Sequence, residues 1–318
     1  MQDILMIAAG LVILFIAGEG LLRGSVSIAT QAGLSKLLVS AVIIGFGTSM
    51  PEMTVSVGAA LKNAPEIALG NVVGSNIANI LLIVGLAAVL YPLAIPAAAV
   101  RRDVMAMMGA ALTLCLLAVF NLMNAATGAL MLGALVCYLT YCYRADKKAS
   151  RNAAASETAE ESGDKPLKPA IAILMCVAGL AGLVGGAQLL VTGAVSIARD
   201  FGISEAVIGL TIVAVGTSLP ELATAAVASM RRHNEVVIGN ILGSNVFNVL
   251  CILGVTTMVK PIAAEGRIVT TDIWIMLAVS AFLSIFLWRG TRMGKPAGIV
   301  MLAAYVAYTA WLYMTASA

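Results

Sequence analysis

Charge is scarce in this chain. Of its 318 residues only 11% are Asp, Glu, Lys or Arg, where a soluble domain carries about 25%. That scarcity excludes an ordinary soluble fold. The net charge of +3, from 19 basic and 16 acidic residues, is too small for a nucleic-acid surface, so no nucleic-acid partner is expected. Histidine occurs once, as His233 in the loop Arg231-Arg232-His233-Asn234, where it is expected to be solvated and lacks the partner a Ser/His hydrolase needs. Cys115, Cys137, Cys142, Cys176 and Cys251 have neither CxxC nor Cys/His metal spacing, and they read as small buried hydrophobes. No basic leader precedes the first apolar run, so a cleaved secretory signal is not expected and residues 4–22 read as a span.

What is abundant is apolar. Hydrophobic residues make up 61% and the mean hydropathy is +1.00, and a spanning helix needs ~20 such residues. Ten spans fit, over 4–22, 37–61, 67–90, 104–120, 126–143, 169–191, 206–230, 236–259, 273–288 and 297–314. Between the fifth and sixth lies 144–168, a polar Ala/Ser/Glu/Lys stretch that reads as a flexible linker. With the N-terminus outside, fifteen of the nineteen Lys and Arg fall in inner loops and four, Lys62, Arg199, Lys260 and Arg267, fall outside. The positive-inside rule then places both termini outside and the linker in the cytoplasm. The expectation is an integral, multi-pass protein of the cell inner membrane, with lipid as its surroundings.

The chain also repeats itself. Gly47-Thr48-Ser49-Met50-Pro51-Glu52 returns 169 residues later as Gly216-Thr217-Ser218-Leu219-Pro220-Glu221. At the same offset Gly70-Asn71-Val72-Val73-Gly74-Ser75-Asn76-Ile77-Ala78-Asn79 matches Gly239-Asn240-Ile241-Leu242-Gly243-Ser244-Asn245-Val246-Phe247-Asn248. Five spans per copy is an odd number, so the second copy enters the membrane from the opposite side. The fold expected is therefore all-α, ten transmembrane helices in two inverted five-helix repeats, 1–143 and 169–318, an architecture of transporters rather than enzymes.

Glu52 and Glu221 fall in mid-span, where an ionised carboxylate costs several kcal/mol unless it has a partner. Neither half offers Lys or Arg at that depth. The charge must be met by something mobile, a cation or a proton. Hydroxyls from Thr48, Ser49, Thr217 and Ser218 complete an all-oxygen environment suited to hard cations. Pro51 and Pro220 remove a backbone donor before each Glu and free the carbonyls of Gly47 and Gly216. Ser75 and Ser244 add hydroxyls, Asn79 and Asn248 follow one turn later on the same face, and Asn71, Asn76, Asn240 and Asn245 either line the site or bridge helices. Glu19, near the inner end of the first span, reads as an interfacial or gating charge.

The motif pair GTSMPE…GNVVGSNIAN and GTSLPE…GNILGSNVFN resembles the two alpha-repeats of the calcium/cation antiporter superfamily, most closely its prokaryotic sodium/calcium exchanger branch. The resemblance implies a monomeric ten-helix fold, alternating access, and countertransport of several sodium ions for one calcium, with no cofactor beyond the transported ions. It implies a calcium site of the Glu52 and Glu221 carboxylates with the Thr48 and Thr217 carbonyls. Flanking sodium sites would draw on Gly45, Ser49, Ser75, Ala214, Ser218 and Ser244, with Asn79 and Asn248 in the central polar positions. Position 248 is Asn where potassium-dependent relatives carry Asp, so no potassium requirement is expected and the fixed charge is −2.

One Ca²⁺ neutralises such a site, whereas three Na⁺ leave +1, so the sodium-loaded step would carry charge across the membrane at ~2.3 kcal/mol per 100 mV. A proton-coupled cation antiporter of the same fold is the nearest alternative, since two carboxylates also bind protons. An intramembrane acid protease would leave the hydroxyl shell without a purpose, and a passive channel does not fit two repeats built for alternating access.

Overall fold

In lipid, apolar runs of this length satisfy their backbone by forming helices, and the computed structural model, which describes residues 2–155, 167–201 and 214–316, is almost wholly helical. The helices are α1 (Gln2–Ala32), α2 (Lys36–Thr48), α3 (Met50–Leu61), α4 (Pro65–Leu90), α5 (Ala97–Val119) and α6 (Ala125–Ala155). Then follow α7 (Pro169–Asp200), α8 (Ala214–Thr217), α9 (Leu219–Met230), α10 (Asn234–Val259), α11 (Ile268–Arg289) and α12 (Lys295–Ala316). Among the described residues eight helices are long and apolar enough to cross a membrane, and α2 with α3 makes a ninth, bent by 45°. The span expected over 206–230 lies partly outside the described residues.

Helix ends follow local chemistry. Gly33, at φ +58°, stops α1, and the Ser35 hydroxyl accepts from the Leu38 amide to start α2, as an N-cap does. The left-handed residues Asn63 and Arg232 close α3 and α9, and Asn121 and Gly290 follow α5 and α11. Each pair is 169 residues apart. The π-helical turns Asn79–Val84 and Asn248–Leu253 keep the same offset. Beyond Asn121 the second half carries one extra residue. The Leu93 amide donates to the Met293 carbonyl at 2.9 Å and the Ile262 amide to the Met123 carbonyl at 3.0 Å, the same bond with the halves exchanged.

Two boundaries differ from the sequence reading. Residues 144–155 are not flexible linker but the last turns of α6. Ala, Lys and Arg there are good helix formers, and the extension is tied down: Asp146 accepts from Arg102 at 2.9 Å and from the Ser35 hydroxyl at 2.6 Å, and Lys147 donates to the Ala32 carbonyl at 2.7 Å. The remainder, 156–166, lies outside the described residues. Likewise α1 runs to Ala32 rather than ending at 22, because Ser25 and Thr30 return their hydroxyls to the carbonyls of Leu22 and Val26 and expose no unmet polarity.

The two helices bearing the second motif, α4 and α10, form the interior, α10 being buried along its whole apolar window. Around them, α1, α6 and α12 turn Leu11, Phe15, Leu130, Val136 and Val306 outward, as lipid-facing helices do. Glycine brings α1 and α7 together. A Cβ at Gly10 would meet the Gly186 carbonyl at 2.8 Å, one at Gly179 the Ala17 carbonyl at 2.9 Å, one at Gly24 the Ala172 carbonyl at 2.7 Å, and one at Gly193 the Asp3 carbonyl at 2.7 Å. Contacts that pair rising with falling numbers show that the helices run antiparallel. Each contact also has its mate at the 169-residue offset.

Candidate functional site

Both GTS segments break their helices at serine. Ser49 sits at φ −83°, ψ 6° and Ser218 at φ −90°, ψ 7°, outside the helical well, and Pro51 and Pro220 begin the next helix where a missing N–H costs nothing. The break turns α3 and α9 so that Glu52 and Glu221 enter the interior, each 1% exposed. The Ser49 hydroxyl donates to Glu221 Oε1 at 3.0 Å, and the Ser218 hydroxyl donates to Glu52 Oε1 at 3.2 Å. Each carboxylate is thus held by the serine of the other motif. The second oxygens, Glu52 Oε2 and Glu221 Oε2, are buried and meet no donor among the described residues, and no described Lys or Arg pairs with either Glu.

The second motif surrounds this pair. Asn71 donates to the Glu52 carbonyl at 3.0 Å and to the Ser56 hydroxyl at 2.9 Å, while Asn240 donates to the Glu221 carbonyl at 3.4 Å. These two asparagines therefore bridge helices. Deeper in, Asn79 donates to Asn245 Oδ1 at 3.0 Å and Asn248 to Asn76 Oδ1 at 2.9 Å. The Oδ1 atoms of Asn79 and Asn248 are buried without a donor among the described residues, as the two Oε2 atoms are. Four buried acceptor oxygens, related in pairs by the repeat, remain open. Such atoms carry a desolvation cost unless a positive group meets them.

The remaining candidates sit on the helices that carry the two motifs. Thr48 is buried and its hydroxyl donates to the Ile44 carbonyl at 2.8 Å. Ser244 donates to the Gly45 carbonyl at 3.2 Å, and a Cβ on Gly45 would lie 2.9 Å from the Ser244 nitrogen, so glycine is what admits α10 there. Ser75 is buried beside Asn76 and Asn79 on α4. Ala214 opens α8, and Thr217 faces a cleft of about 390 Å³ lined also by Pro51, Thr54, Gln188, Gly216 and Pro220. Among the described residues no cluster of three His, Cys, Asp or Glu exists. The donor set is two carboxylates with hydroxyl, amide and backbone oxygens, which suits hard cations.

A family model described as "Sodium/calcium exchanger protein" matches residues 3–144 and 171–314. The chain belongs to this family. It is similar to the antiporter CaxA of Alkalimonas amylolytica, 34% identical and covering 96% of this chain and 97% of that one. The sodium/calcium exchanger MaX1 of Methanosarcina acetivorans is 29% identical, covering 98% of each chain. A solved structure of the sodium–calcium exchanger NCX_Mj superposes with a TM-score of 0.82 at 28% identity, covering 97% of this chain and 98% of that one. This is a family of membrane antiporters, not a catalytic class.

Within this exchanger fold three sequence expectations need correction. The expected spans 104–120 and 273–288 leave Asp103 and Asp272 in loops, yet both lie inside helices, α5 and α11. Asp103 and Asp272 are 0% and 4% exposed. Asp103 accepts from Tyr138 at 2.5 Å and pairs with Arg102 at 3.3 Å, and Asp272 accepts from Tyr308 at 3.1 Å and pairs with Arg267 at 3.2 Å. Both sit one residue outside the expected spans, and they share the 169-residue spacing of the repeat. His233, expected in solvent, is half-buried as the residue that caps α10. Cys137 is exposed, while the other four cysteines are buried as expected. Glu19 lies outside the site and joins Arg23 at 2.7 Å and Arg231 at 3.0 Å, linking α1 to the end of α9.

Proposed function

We propose that the chain exchanges sodium for calcium across the membrane by alternating access, with the ions held between Glu52 and Glu221. The observation that carries this is the exchanged pair of serine bonds, which draws both carboxylates into one buried network while leaving Oε2 of each open. Calcium would be bound by the two carboxylates and the Thr48 and Thr217 carbonyls. Sodium would be bound by these together with Gly45, Ser49, Ser75, Ala214, Ser218 and Ser244, with Asn79 and Asn248 between. The fixed charge of −2 is neutralised by one Ca²⁺, so the loaded site is cheaper to re-expose than the empty one. Exchange against three Na⁺ is then electrogenic and needs no potassium.

The architecture proposed is ten helices in two inverted repeats. Its support is the antiparallel run of α1 against α7, its mate at the 169-residue offset, since a two-fold axis in the membrane plane reverses an element relative to its copy. The protein would act as a monomer in the inner membrane, with both termini outside and 144–168 in the cytoplasm, as the loop charges require.

The deciding experiment is ⁴⁵Ca²⁺ uptake into proteoliposomes under an outward sodium gradient at fixed pH, compared with a pH gradient without sodium. Uptake driven by sodium alone is expected. Uptake driven by protons alone would replace this reading with a proton-coupled antiporter on the same carboxylates.

A further inference from the structure

The asparagine pairs behind the carboxylates end on methionine. Asn245 Nδ2 donates to Met107 Sδ at 3.6 Å, and Asn76 Nδ2 donates to Met276 Sδ at 3.7 Å. Met107 and Met276 are 1% and 0% exposed, and they are themselves 169 residues apart. A thioether sulfur accepts weakly and has no hydrogen to give. An amide facing it must therefore turn its NH₂ toward the sulfur and its oxygen away. That oxygen, Asn245 Oδ1, takes its hydrogen from Asn79 Nδ2 at 3.0 Å. With its NH₂ committed, Asn79 keeps Oδ1 as an open, buried acceptor. The second chain has the same order: Met276 Sδ, Asn76, Asn248, and an open Asn248 Oδ1.

We propose that Met107 and Met276 are positioning residues that set the direction of two amide relays and so keep the carbonyl oxygens of Asn79 and Asn248 available to a cation. The alternative direction of each relay presents an NH₂ group instead, which repels a cation. An amide has two nearly isosteric orientations, and an acceptor-only group at the far end is what selects one. Each methionine lies one turn after a clamped aspartate, Asp103 on α5 and Asp272 on α11. Residues four apart share a helix face, so the Arg and Tyr bonds to these aspartates fix the rotation that aims the sulfurs inward. The two chains cross between halves, since Met107 and Asn79 belong to the first and Asn245 to the second. This inference rests on the reading of the site as one for cations.

The test is M107L and M276L, which keep volume and remove the acceptor. Two readouts are taken on purified protein: the Na⁺ or Ca²⁺ concentration that half-saturates thermal stabilisation in detergent, and that which half-saturates ⁴⁵Ca²⁺ exchange in proteoliposomes. Each variant is expected to raise the half-saturating concentration about threefold or more, the scale of one hydrogen bond, while purifying as folded, monodisperse protein. A double-mutant cycle separates positioning from packing. In an N245A background M107L is expected to add nothing, whereas M276L, which acts on the other relay, still adds its full factor. Half-saturation within 1.5-fold of wild type, as an order-of-magnitude threshold, in both leucine variants overturns the relay. So does an M107L factor undiminished by N245A. If N245A does not purify, the two leucine variants decide alone. A wild-type protein that neither exchanges nor is stabilised by Na⁺ or Ca²⁺ would instead sink the functional reading, which separates the two failures.

Discussion

Replacing Glu52 by Gln changes charge and almost nothing else. The side chain keeps its shape, and Oε1 still accepts from Ser218, now at a neutral oxygen. The NH₂ takes the place of Oε2, which faces no hydrogen-bond partner among the described residues. In the proposed cation-bound state the loss is that of one charge from a buried, mutually compensating set, about 3–5 kcal/mol, which weakens calcium binding by roughly 10²- to 10³-fold or more. In the ion-free state the sign reverses. Two buried carboxylates that share one network repel each other, so removing one relieves the fold, and the melting temperature in EGTA should hold or rise. The assay pairs ⁴⁵Ca²⁺ exchange in proteoliposomes with thermal melting in detergent, with and without calcium. Expected are lost exchange, lost calcium-induced stabilisation and intact monodisperse protein. Because the repeat places Glu221 equivalently, E221Q should behave alike. Exchange in either variant with calcium half-saturation within about tenfold of wild type, a difference of only ~1.4 kcal/mol, would refute the assignment of both carboxylates.

Other perturbations follow from the same geometry. S49A removes the donor to Glu221 and S218A the donor to Glu52, and a bond to a charged group contributes about 1.5–3 kcal/mol, so each should weaken ion binding by tenfold or more in the melting assay. G45A puts a Cβ within 2.9 Å of the Ser244 nitrogen and 3.1 Å of the Asn240 carbonyl; such overpacking against backbone costs about 1–3 kcal/mol, and a lowered ion-free melting temperature checks it. D103N and D272N each weaken an arginine–carboxylate pair near a helix end, so both should lower the melting temperature. Sodium-driven calcium uptake should be the same with and without potassium; a potassium requirement would show that Asn248 does not set the site's charge.

The buried centre of the molecule was legible because it leaves signs in residue type. A mid-span Glu after Pro, present twice at one offset, has few structural explanations, and the crossed bonds join Ser49 to Glu221 and Ser218 to Glu52. The rim was less legible. Hydropathy windows place a charged residue at the edge of a span and stop, so Asp103 and Asp272 were read as loop residues although helices begin several residues earlier, at Ala97 and Ile268. What hides them is compensation: Arg102 and Arg267 lie close by in sequence, but Tyr138 and Tyr308 arrive from 35 and 36 residues along the chain to complete each cluster. The helical extension of α6 was missed for a related reason: its composition is that of a linker, and the bonds from Asp146 to Arg102 and Ser35 that hold it are long-range. The methionine contacts had no sequence signal at all apart from the 169-residue spacing, because methionine in a span ordinarily packs.

Why each carboxylate is bonded by the opposite serine follows from what an exchanger must avoid. A carrier with two independent half-sites would let one half open while the other still held its ion, and the two fluxes would uncouple. With Ser49 bonded to Glu221 and Ser218 to Glu52, no movement of one half leaves the other carboxylate's surroundings unchanged. Under the proposed exchange, opening toward either side would alter both carboxylates together, and one Ca²⁺ and several Na⁺ would compete for a single site. On this argument S49A and S218A should loosen coupling as well as binding. The measurable sign is calcium efflux without counter-sodium, which rises above the wild-type leak if the crossed bonds enforce coupling and stays at that level if they only hold ions.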